Sequence, residues 1–304
     1  MSGLGTVLTA IVTPFAADGS VNEEAFVALL HHLGKNGSDG FVVAGTTGEA
    51  STLTDVEQLR LIELAVAERP AGKTIIAGTG TNDTRQVVHL TERATELGAD
   101  AMLSVTPYYN RPSRLGLKRH YEAAAAATDK PTILYNIPGR TATNMPPDLL
   151  AELAQIEGIS AVKQANAAEL APIDGLAIYA GDDATFARTL DMGGAGGILV
   201  ASHIVGNEMQ RMVSEPERRA EINASLADVY ETLFITSNPT CVKAALNLIG
   251  HDVGGLRLPL VEATGEELAR IREMLEHHGL LAADAPGGPA NGEVAGQSAQ
   301  VSGA

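Results

Sequence analysis

A lysine ends one of the most apolar segments of this chain. Ile159, Ala161 and Val162 are typical of a buried strand, and Lys163 stands where that strand would stop. Lysines at such positions usually extend to water, because burying their charge is costly. A lysine that loses its hydration instead favours the neutral amine, which can attack a ketone and form a Schiff base. The segment alone leaves both interpretations open.

The polar groups that a Schiff base needs follow other apolar segments. Thr46 and Thr47 offer hydroxyl and backbone N–H groups that can hold a carboxylate, and Tyr135 offers a phenol that can carry protons. Arg140 can bind a second carboxylate through its two-pronged guanidinium. Each residue alone has an ordinary structural explanation, such as a helix cap, a core tyrosine or a surface arginine. Together they favour a catalytic role for Lys163.

The elements that must position these residues form a regular series. Apolar segments alternate with helical patterns, and the helical pattern at Thr54 opens with a capping box, since Glu57 follows three residues later. Eight such units predict a closed (β/α)8 TIM barrel, with an open doubly wound sheet as the alternative. The carboxyl ends of barrel strands share one mouth, where the polar residues would meet. The predicted strands cover residues 6–15, 40–45, 73–80, 100–107, 131–138, 159–164, 176–181 and 195–202.

The chain after the barrel has a different pattern. We assign residues 1–216 to the barrel and the active site, and 217–281 to a small C-terminal helical extension with helical patterns at 217–234, 240–249 and 265–280. Residues 282–304 are rich in Ala, Gly and Pro and have almost no apolar bulk, so we expect a disordered tail there.

Composition and motifs exclude several classes of function. The 21 Lys and Arg against 37 Asp and Glu give a net charge of −16, which disfavours nucleic acid as a partner. The lone Cys241, the absence of a signal-like start and the lack of a long apolar run indicate a cytoplasmic protein without membrane contact. The histidines show no ligand spacing, and the segment at 78–83 lacks the third glycine of a dinucleotide loop. We therefore expect no metal site and no dinucleotide cofactor. No carboxylate pair stands at the ends of the predicted strands 40–45, 100–107, 131–138, 159–164 and 195–202, which disfavours a glycosidase.

From about residue 4 to 280, the sequence resembles the dihydrodipicolinate synthase / N-acetylneuraminate lyase family, the pyruvate-dependent class I aldolases. So many matching motifs in the same order are far beyond chance similarity. The matching motifs are "AIVTPF", "GTTGEAS", "AGTGTND", "TPYYNRPS", "LYNIPGRT", "AVKQAN", "YAGDD" and "SNPTCVKAAL".

The resemblance implies the catalytic roles. Lys163 would form the Schiff base with pyruvate, and Tyr135 would shuttle protons at the imine. Thr46 would link Tyr135 to Tyr109, and Tyr109 would come from the other subunit of a tight dimer. Family members are usually tetramers built from two such dimers, so a homotetramer is expected.

The resemblance also implies how the substrates bind. Thr47 would hold the pyruvate carboxylate, with Gly45 and the Ile198 carbonyl lining the same pocket, and Arg140 would receive the carboxylate of aspartate semialdehyde. The implied reaction is the condensation of pyruvate with L-aspartate 4-semialdehyde in lysine and diaminopimelate biosynthesis.

Two alternatives stay open at the level of sequence. One is a lyase or dehydratase acting on a 2-keto-3-deoxy sugar acid or sialic acid. Such relatives generally lack an arginine at the position of Arg140, but Gln164 departs from the glutamate that the synthases commonly carry beside the lysine. The other is a non-catalytic homologue that binds a keto acid, and the intact set of Lys163, Tyr135, Thr46 and Tyr109 disfavours it.

The resemblance bears on regulation as well. Lysine-inhibited members use an asparagine, a tyrosine and a glutamate at the dimer interface. Asn82 and Tyr108 match the first two, whereas Gln86 replaces the glutamate, and Asp55 and Gln58 replace nearby histidines. Because glutamine lacks the charge that an ammonium ligand seeks, we expect weak or absent inhibition by lysine.

Overall fold

Eight parallel strands close into a barrel in the computed structural model, which describes residues 3–281. Each strand pairs with the next along the chain, and the last pairs with the first. The predicted (β/α)8 barrel is confirmed and the open sheet is wrong. The predicted tail at 282–304 lies outside the described residues. The strands are β1 Val7–Ala10, β2 Gly40–Val43, β3 Thr74–Gly78, β4 Ala101–Val105, β5 Thr132–Asn136, β6 Ile159–Gln164, β7 Ala177–Ala180 and β8 Gly196–Leu199.

Helices surround the barrel, except between β6 and β7, where the chain forms a short 3₁₀ turn at Ala167–Glu169. The capping box at the start of the second helix is confirmed, because Thr54 and Glu57 each accept the other's backbone N–H. The helices are α1 Glu23–Lys35, α2 Asp55–Ala67, α3 Thr84–Glu96, α4 Arg114–Ala126, α5 Pro138–Thr141, α6 Pro147–Leu153, α7 Phe186–Asp191, α8 Ser202–Ser214, α9 Arg219–Ser225, α10 Ala227–Leu233, α11 Thr240–Leu248 and α12 Gly265–His277.

Element boundaries differ from the sequence prediction in two ways. Most strands are shorter than their apolar segments, because residues such as Ile11 and Val12 stay buried after the strand ends. Helix α8 is absent from the predicted pattern; it carries Gly206 and a non-helical Val205, which interrupt the helical periodicity. The predicted helix at 217–234 is divided into a 3₁₀ turn, α9 and α10.

Strand alternation decides which side chains enter the barrel. Ile133 and Tyr135 on β5 and Ala161 on β6 belong to the interior cluster, and Lys163 shares the face of Ala161. Leu134 and Val162 point the other way and pack beneath the helices. Within residues 3–281, no helix combines the length and apolar character needed to cross a membrane.

Candidate active site

Lys163 is buried at the carboxyl end of β6, opposite Tyr135 on β5. The lysine is 5% exposed, and its Nζ lies 4.3 Å from the centre of the Tyr135 ring. Nζ makes no hydrogen bond to any residue in the described range 3–281. Burial lowers the pKa of Lys163 to about 8, with the Asp183 carboxylate opposing the shift and Arg140 adding to it. Only about a tenth of this amine is therefore neutral at pH 7, which is still far more than for an ordinary lysine.

Tyr135 sits beside that amine as a protonated phenol. Burial raises the pKa of Tyr135 to about 12, and the Arg140 guanidinium and the Thr46 hydroxyl oppose the rise. The tyrosine is 4% exposed, so its phenol can exchange protons only with groups inside the site. An amine that loses its proton more easily than an ordinary lysine thus faces a phenol that holds its own proton.

A cavity of about 240 Å³ opens at this end of the barrel. It joins the loop after β2 to the ends of β4 and β5, and Arg140 enters it from α5. Four predicted site residues line it: Gly45, Thr46, Tyr135 and Arg140. The other lining residues are Ala44, Ala50, Ser51, Gln58, Gly78, Gly80, Thr81, Leu103, Val105, Tyr108, Ile137 and Thr141. Its walls combine apolar side chains with hydroxyl groups and one guanidinium.

Three further predicted residues are buried next to this cavity without lining it. Lys163 packs against the Tyr135 ring, which lines the cavity, and Thr47 directly follows the lining residue Thr46. Ile198 on β8 packs in the same interior cluster as Tyr135. Tyr109 is different. It is 89% exposed in the single chain, has a φ of 72° and does not line the cavity.

Asp183 is a buried carboxylate that the sequence reasoning missed, although "YAGDD" was noted as a motif. It is 1% exposed and accepts hydrogen bonds from the backbone N–H groups of Val200 and Ala201, at 3.1 and 3.0 Å. Burial raises its pKa to about 7, and those backbone bonds and the charge of Lys163 oppose the rise. Asp183 therefore ties the end of β7 to the loop that follows Ile198.

Gln164 does not face the site. The strand alternation that turns Lys163 inward turns Gln164 outward, where its Oε1 accepts hydrogen bonds from Asn136 Nδ2 and the Asn166 backbone N–H. The Gln164 side chain therefore makes no direct contact with the Lys163 side chain, because the two lie on opposite faces of β6.

The loop after β2 is held by residues from the C-terminal helical region. Asn238 donates from Nδ2 to Thr47 Oγ1 at 2.9 Å, and Lys243 on α11 donates to Glu49 at 2.9 Å. Lys243 and Glu49 are both buried, and the Arg257 backbone N–H also binds the Glu49 carboxylate. Sequence reasoning missed these contacts; the motif "SNPTCVKAAL" carried two of the residues.

One group of side chains in the described range could share a metal ion. His277 and His278 each bond to Asp228 through a ring nitrogen, at 2.8 and 2.9 Å. His277 is exposed, whereas His278 is half-buried. None of the three lines the cavity beside Tyr135.

The chain matches the Dihydrodipicolinate synthetase family over residues 3–278. It is 43% identical over 288 residues to 4-hydroxy-tetrahydrodipicolinate synthase of Heliobacterium modesticaldum, covering 91% of this chain and 96% of that protein. The structure of DHDPS from Cyanidioschyzon merolae with lysine bound has a TM-score of 0.89 at 39% identity, covering 91% of this chain and 99% of that one. The chloride-inhibited dihydrodipicolinate synthase from Acinetobacter baumannii complexed with pyruvate has a TM-score of 0.87 at 36% identity, covering 91% and 100%. With the family match and these relatives spanning nearly all of its described residues, the protein belongs to the dihydrodipicolinate synthetase family.

Proposed function

We propose that this chain condenses pyruvate with L-aspartate 4-semialdehyde to 4-hydroxy-tetrahydrodipicolinate, in lysine and diaminopimelate biosynthesis. The observation that carries the proposal is a buried lysine whose pKa is lowered to about 8, with its Nζ 4.3 Å from the centre of a tyrosine ring. The names of the relatives supply the substrate class. The pyruvate bound in the Acinetobacter baumannii structure agrees with it.

The chemistry follows from the neutral amine. Lys163 Nζ attacks the pyruvate ketone, water leaves, and the resulting imine draws electrons from the neighbouring methyl group. Loss of a methyl proton gives an enamine, whose carbon attacks the aldehyde carbon of the second substrate. The amino group of that substrate then attacks the imine carbon, which closes the ring and releases the Lys163 amine. In this scheme the Tyr135 phenol, whose ring lies beside Nζ, gives up a proton and takes one back, Thr46 relays protons to it, and Thr47 holds the pyruvate carboxylate. No metal or dissociable cofactor takes part in this scheme.

Arg140 supports aspartate semialdehyde as the second substrate. Its side chain enters the cavity next to Tyr135, where a guanidinium can hold a carboxylate bidentately. A keto-deoxy sugar acid or sialic acid offers hydroxyl groups at that end of the molecule. A substrate that places only neutral hydroxyl groups next to Arg140 would leave the guanidinium without an opposite charge.

Borohydride trapping tests the imine. Reduction in the presence of pyruvate is expected to add one reduced pyruvyl group to the peptide that contains Lys163. Lys163→Arg is expected to lose the adduct and nearly all turnover, because the guanidinium stays protonated. Labelling at Lys243, the other buried lysine, or no labelling at all would refute the mechanism.

Arg140→Ala tests the second substrate. Losing a charge-assisted hydrogen bond costs roughly 1.5–3 kcal/mol, so kcat/KM for aspartate semialdehyde is expected to fall by about one to two orders of magnitude. Pyruvate should still be trapped on Lys163, although more slowly at neutral pH, because the Arg140 charge helps to lower the pKa of that lysine. Arg119→Ala, an exposed arginine on α4 paired with Glu122, is the matched control. Preferential turnover of sialic acid or keto-deoxy-gluconate by the unaltered protein would favour the lyase alternative, and no turnover of any of them would favour a binding protein.

A further inference from the structure

The C-terminal helical region reaches into the mouth of the barrel at Asn238, directly before α11. Its Nδ2 donates to Thr47 Oγ1 at 2.9 Å, between side chains 191 positions apart. Asn238 is 6% exposed and Thr47 is 3% exposed, so water does not compete freely for either group. The Lys243–Glu49 ion pair fixes the same loop two residues further on.

The Thr47 hydroxyl has a proton that is not donated in a hydrogen bond to any residue in the described range 3–281. Its oxygen accepts the bond from Asn238. A hydroxyl is one donor and two acceptor sites, so a buried hydroxyl in this state lacks an acceptor. The alternative is a purely structural role, in which the hydrogen bond between Asn238 and Thr47 only joins two parts of the fold.

The asparagine amide has a definite orientation. Its Oδ1 is buried without a partner. Turning the amide over would pair Oδ1 with the hydroxyl but would leave both N–H groups of Nδ2 unpaired instead of one, and orphaned N–H groups are rarer than orphaned carbonyls. The orientation in which nitrogen donates therefore leaves the Thr47 proton free.

We infer that Asn238 is a positioning residue that, by donating to Thr47, directs the Thr47 proton to the carboxylate of the keto acid. The inference rests on the proposed function, in which Thr47 holds that carboxylate. Asn238 itself need not touch the substrate. It sets the direction of a donor that does.

Asn238→Asp separates this role from a structural one. The new carboxylate would accept the Thr47 proton and place a negative charge behind the pyruvate site, while keeping nearly the same volume. KM for pyruvate is expected to rise at least about tenfold, with kcat at saturating pyruvate changed by less than about threefold. Asn247→Asp is the matched control. It is the same substitution at an exposed asparagine of α11, which does not contact Thr47. Its KM is expected to match that of the unaltered protein.

Each outcome is decisive. An unchanged KM for pyruvate in a folded Asn238→Asp protein overturns the inference. So do changes in kcat and KM that are the same in Asn238→Asp and in Asn247→Asp. If Asn238→Asp does not fold, a cycle of Thr47→Val, Asn238→Ala and the double variant replaces it: additive effects on KM overturn the inference, and strongly non-additive effects support it. Failure of the proposed function is distinguishable, because the unaltered protein would then give no pyruvyl adduct.

Discussion

Two buried lysines in this chain have opposite surroundings. Lys243 Nζ donates to the Glu49 carboxylate and to the Thr13 carbonyl, both at 2.9 Å. Lys163 Nζ has the face of a tyrosine ring and no hydrogen-bond partner within residues 3–281. A buried ammonium needs such partners, so Lys243 is suited to remain charged and Lys163 to become neutral. Burial alone does not make a nucleophile; burial without a counter-charge in contact does.

The pH dependence of imine formation follows from this difference. Only the neutral amine attacks a ketone, and burial lowers the pKa of Lys163 from 10.5 to about 8. The rate of pyruvyl adduct formation is therefore expected to rise with pH through about 8 and then level off. Asp183→Asn should move the midpoint to lower pH, because the Asp183 charge raises the pKa of Lys163. Quenching with borohydride at intervals and measuring adduct mass gives the profile; a midpoint near 10.5 would contradict the prediction.

Residue types could be recognised from the sequence more readily than residue partners. Lys163, Tyr135, Thr46 and Arg140 stand at strand ends, and strand ends meet in a barrel, so their proximity was predictable. Contacts made by the C-terminal region were not, because nothing local to Asn238 indicates a partner 191 positions away. The outward orientation of Gln164 could also be predicted, because adjacent residues of the strand at 159–164 point to opposite faces.

At the scale of elements, the loop after β2 is the part of the site with the most external support. Glu49 has a φ of 56°, a backbone conformation that non-glycine residues rarely adopt. Lys243 and the Arg257 backbone hold its carboxylate there. The loop that presents Thr46 and Thr47 is therefore fixed by α11 and by the segment after it.

Breaking the buried ion pair should destabilise the whole fold. Removing one partner leaves an uncompensated buried charge, so Glu49→Gln and Lys243→Met are each expected to lower the free energy of unfolding by about 3–5 kcal/mol. The double variant should lose less than the sum of the two. Urea unfolding measures all three. Strictly additive losses would show that the pair acts through its other hydrogen bonds.

The starts of α2 and α3 bear on regulation by lysine. Gln86 Nε2 donates to Asp55 Oδ1 at 2.8 Å, so the amide at the position of the expected glutamate is already engaged. Asn82 is likewise engaged, since its Nδ2 donates to the Tyr108 carbonyl at 3.2 Å. The arrangement offers an ammonium ligand no glutamate at this position.

Titrating L-lysine into the condensation assay is therefore expected to show no inhibition at submillimolar concentrations. Gln86→Glu should strengthen any inhibition by roughly tenfold or more, because it restores a charge-assisted partner. Arg85→Ala, on the exposed neighbour of Gln86, controls for a general disturbance of α3. Submillimolar inhibition of the unaltered protein would show that Asp55 substitutes for the missing glutamate.

At the scale of the molecule, the barrel was predictable because apolar segments and helical patterns alternate regularly along the sequence. Eight apolar segments with helical patterns between them leave few topologies, and short connections favour sequential parallel pairing. The strand ends were less predictable, because a buried residue just beyond the strand looks in sequence like one within it. The divided helices after residue 214 depend on packing against α8 and α11, which the local pattern does not contain.

In the single chain, Tyr109 does not line the cavity that contains Tyr135 and Arg140. The side chain is 89% exposed, and other large apolar groups on this part of the surface are exposed as well, including Tyr108 and Leu115. We predict that Tyr109 completes the site of a second copy in a tight dimer. The proton relay from Tyr135 through Thr46 would then cross the subunit interface, and neither subunit would be fully active alone.

Hybrid dimers test this directly. Lys163→Arg and Tyr109→Phe chains are each expected to be nearly inactive, but a hybrid would hold one complete site, formed by the lysine of one chain and the tyrosine of the other. Random mixing makes half of the dimers hybrids, so about a quarter of the unaltered activity should return. Lys163→Arg mixed with Tyr135→Phe is the control, because both residues belong to one chain's site and no hybrid restores it. Recovery in the first mixture and none in the second would place Tyr109 across the interface; no recovery in either would place it within its own chain's site.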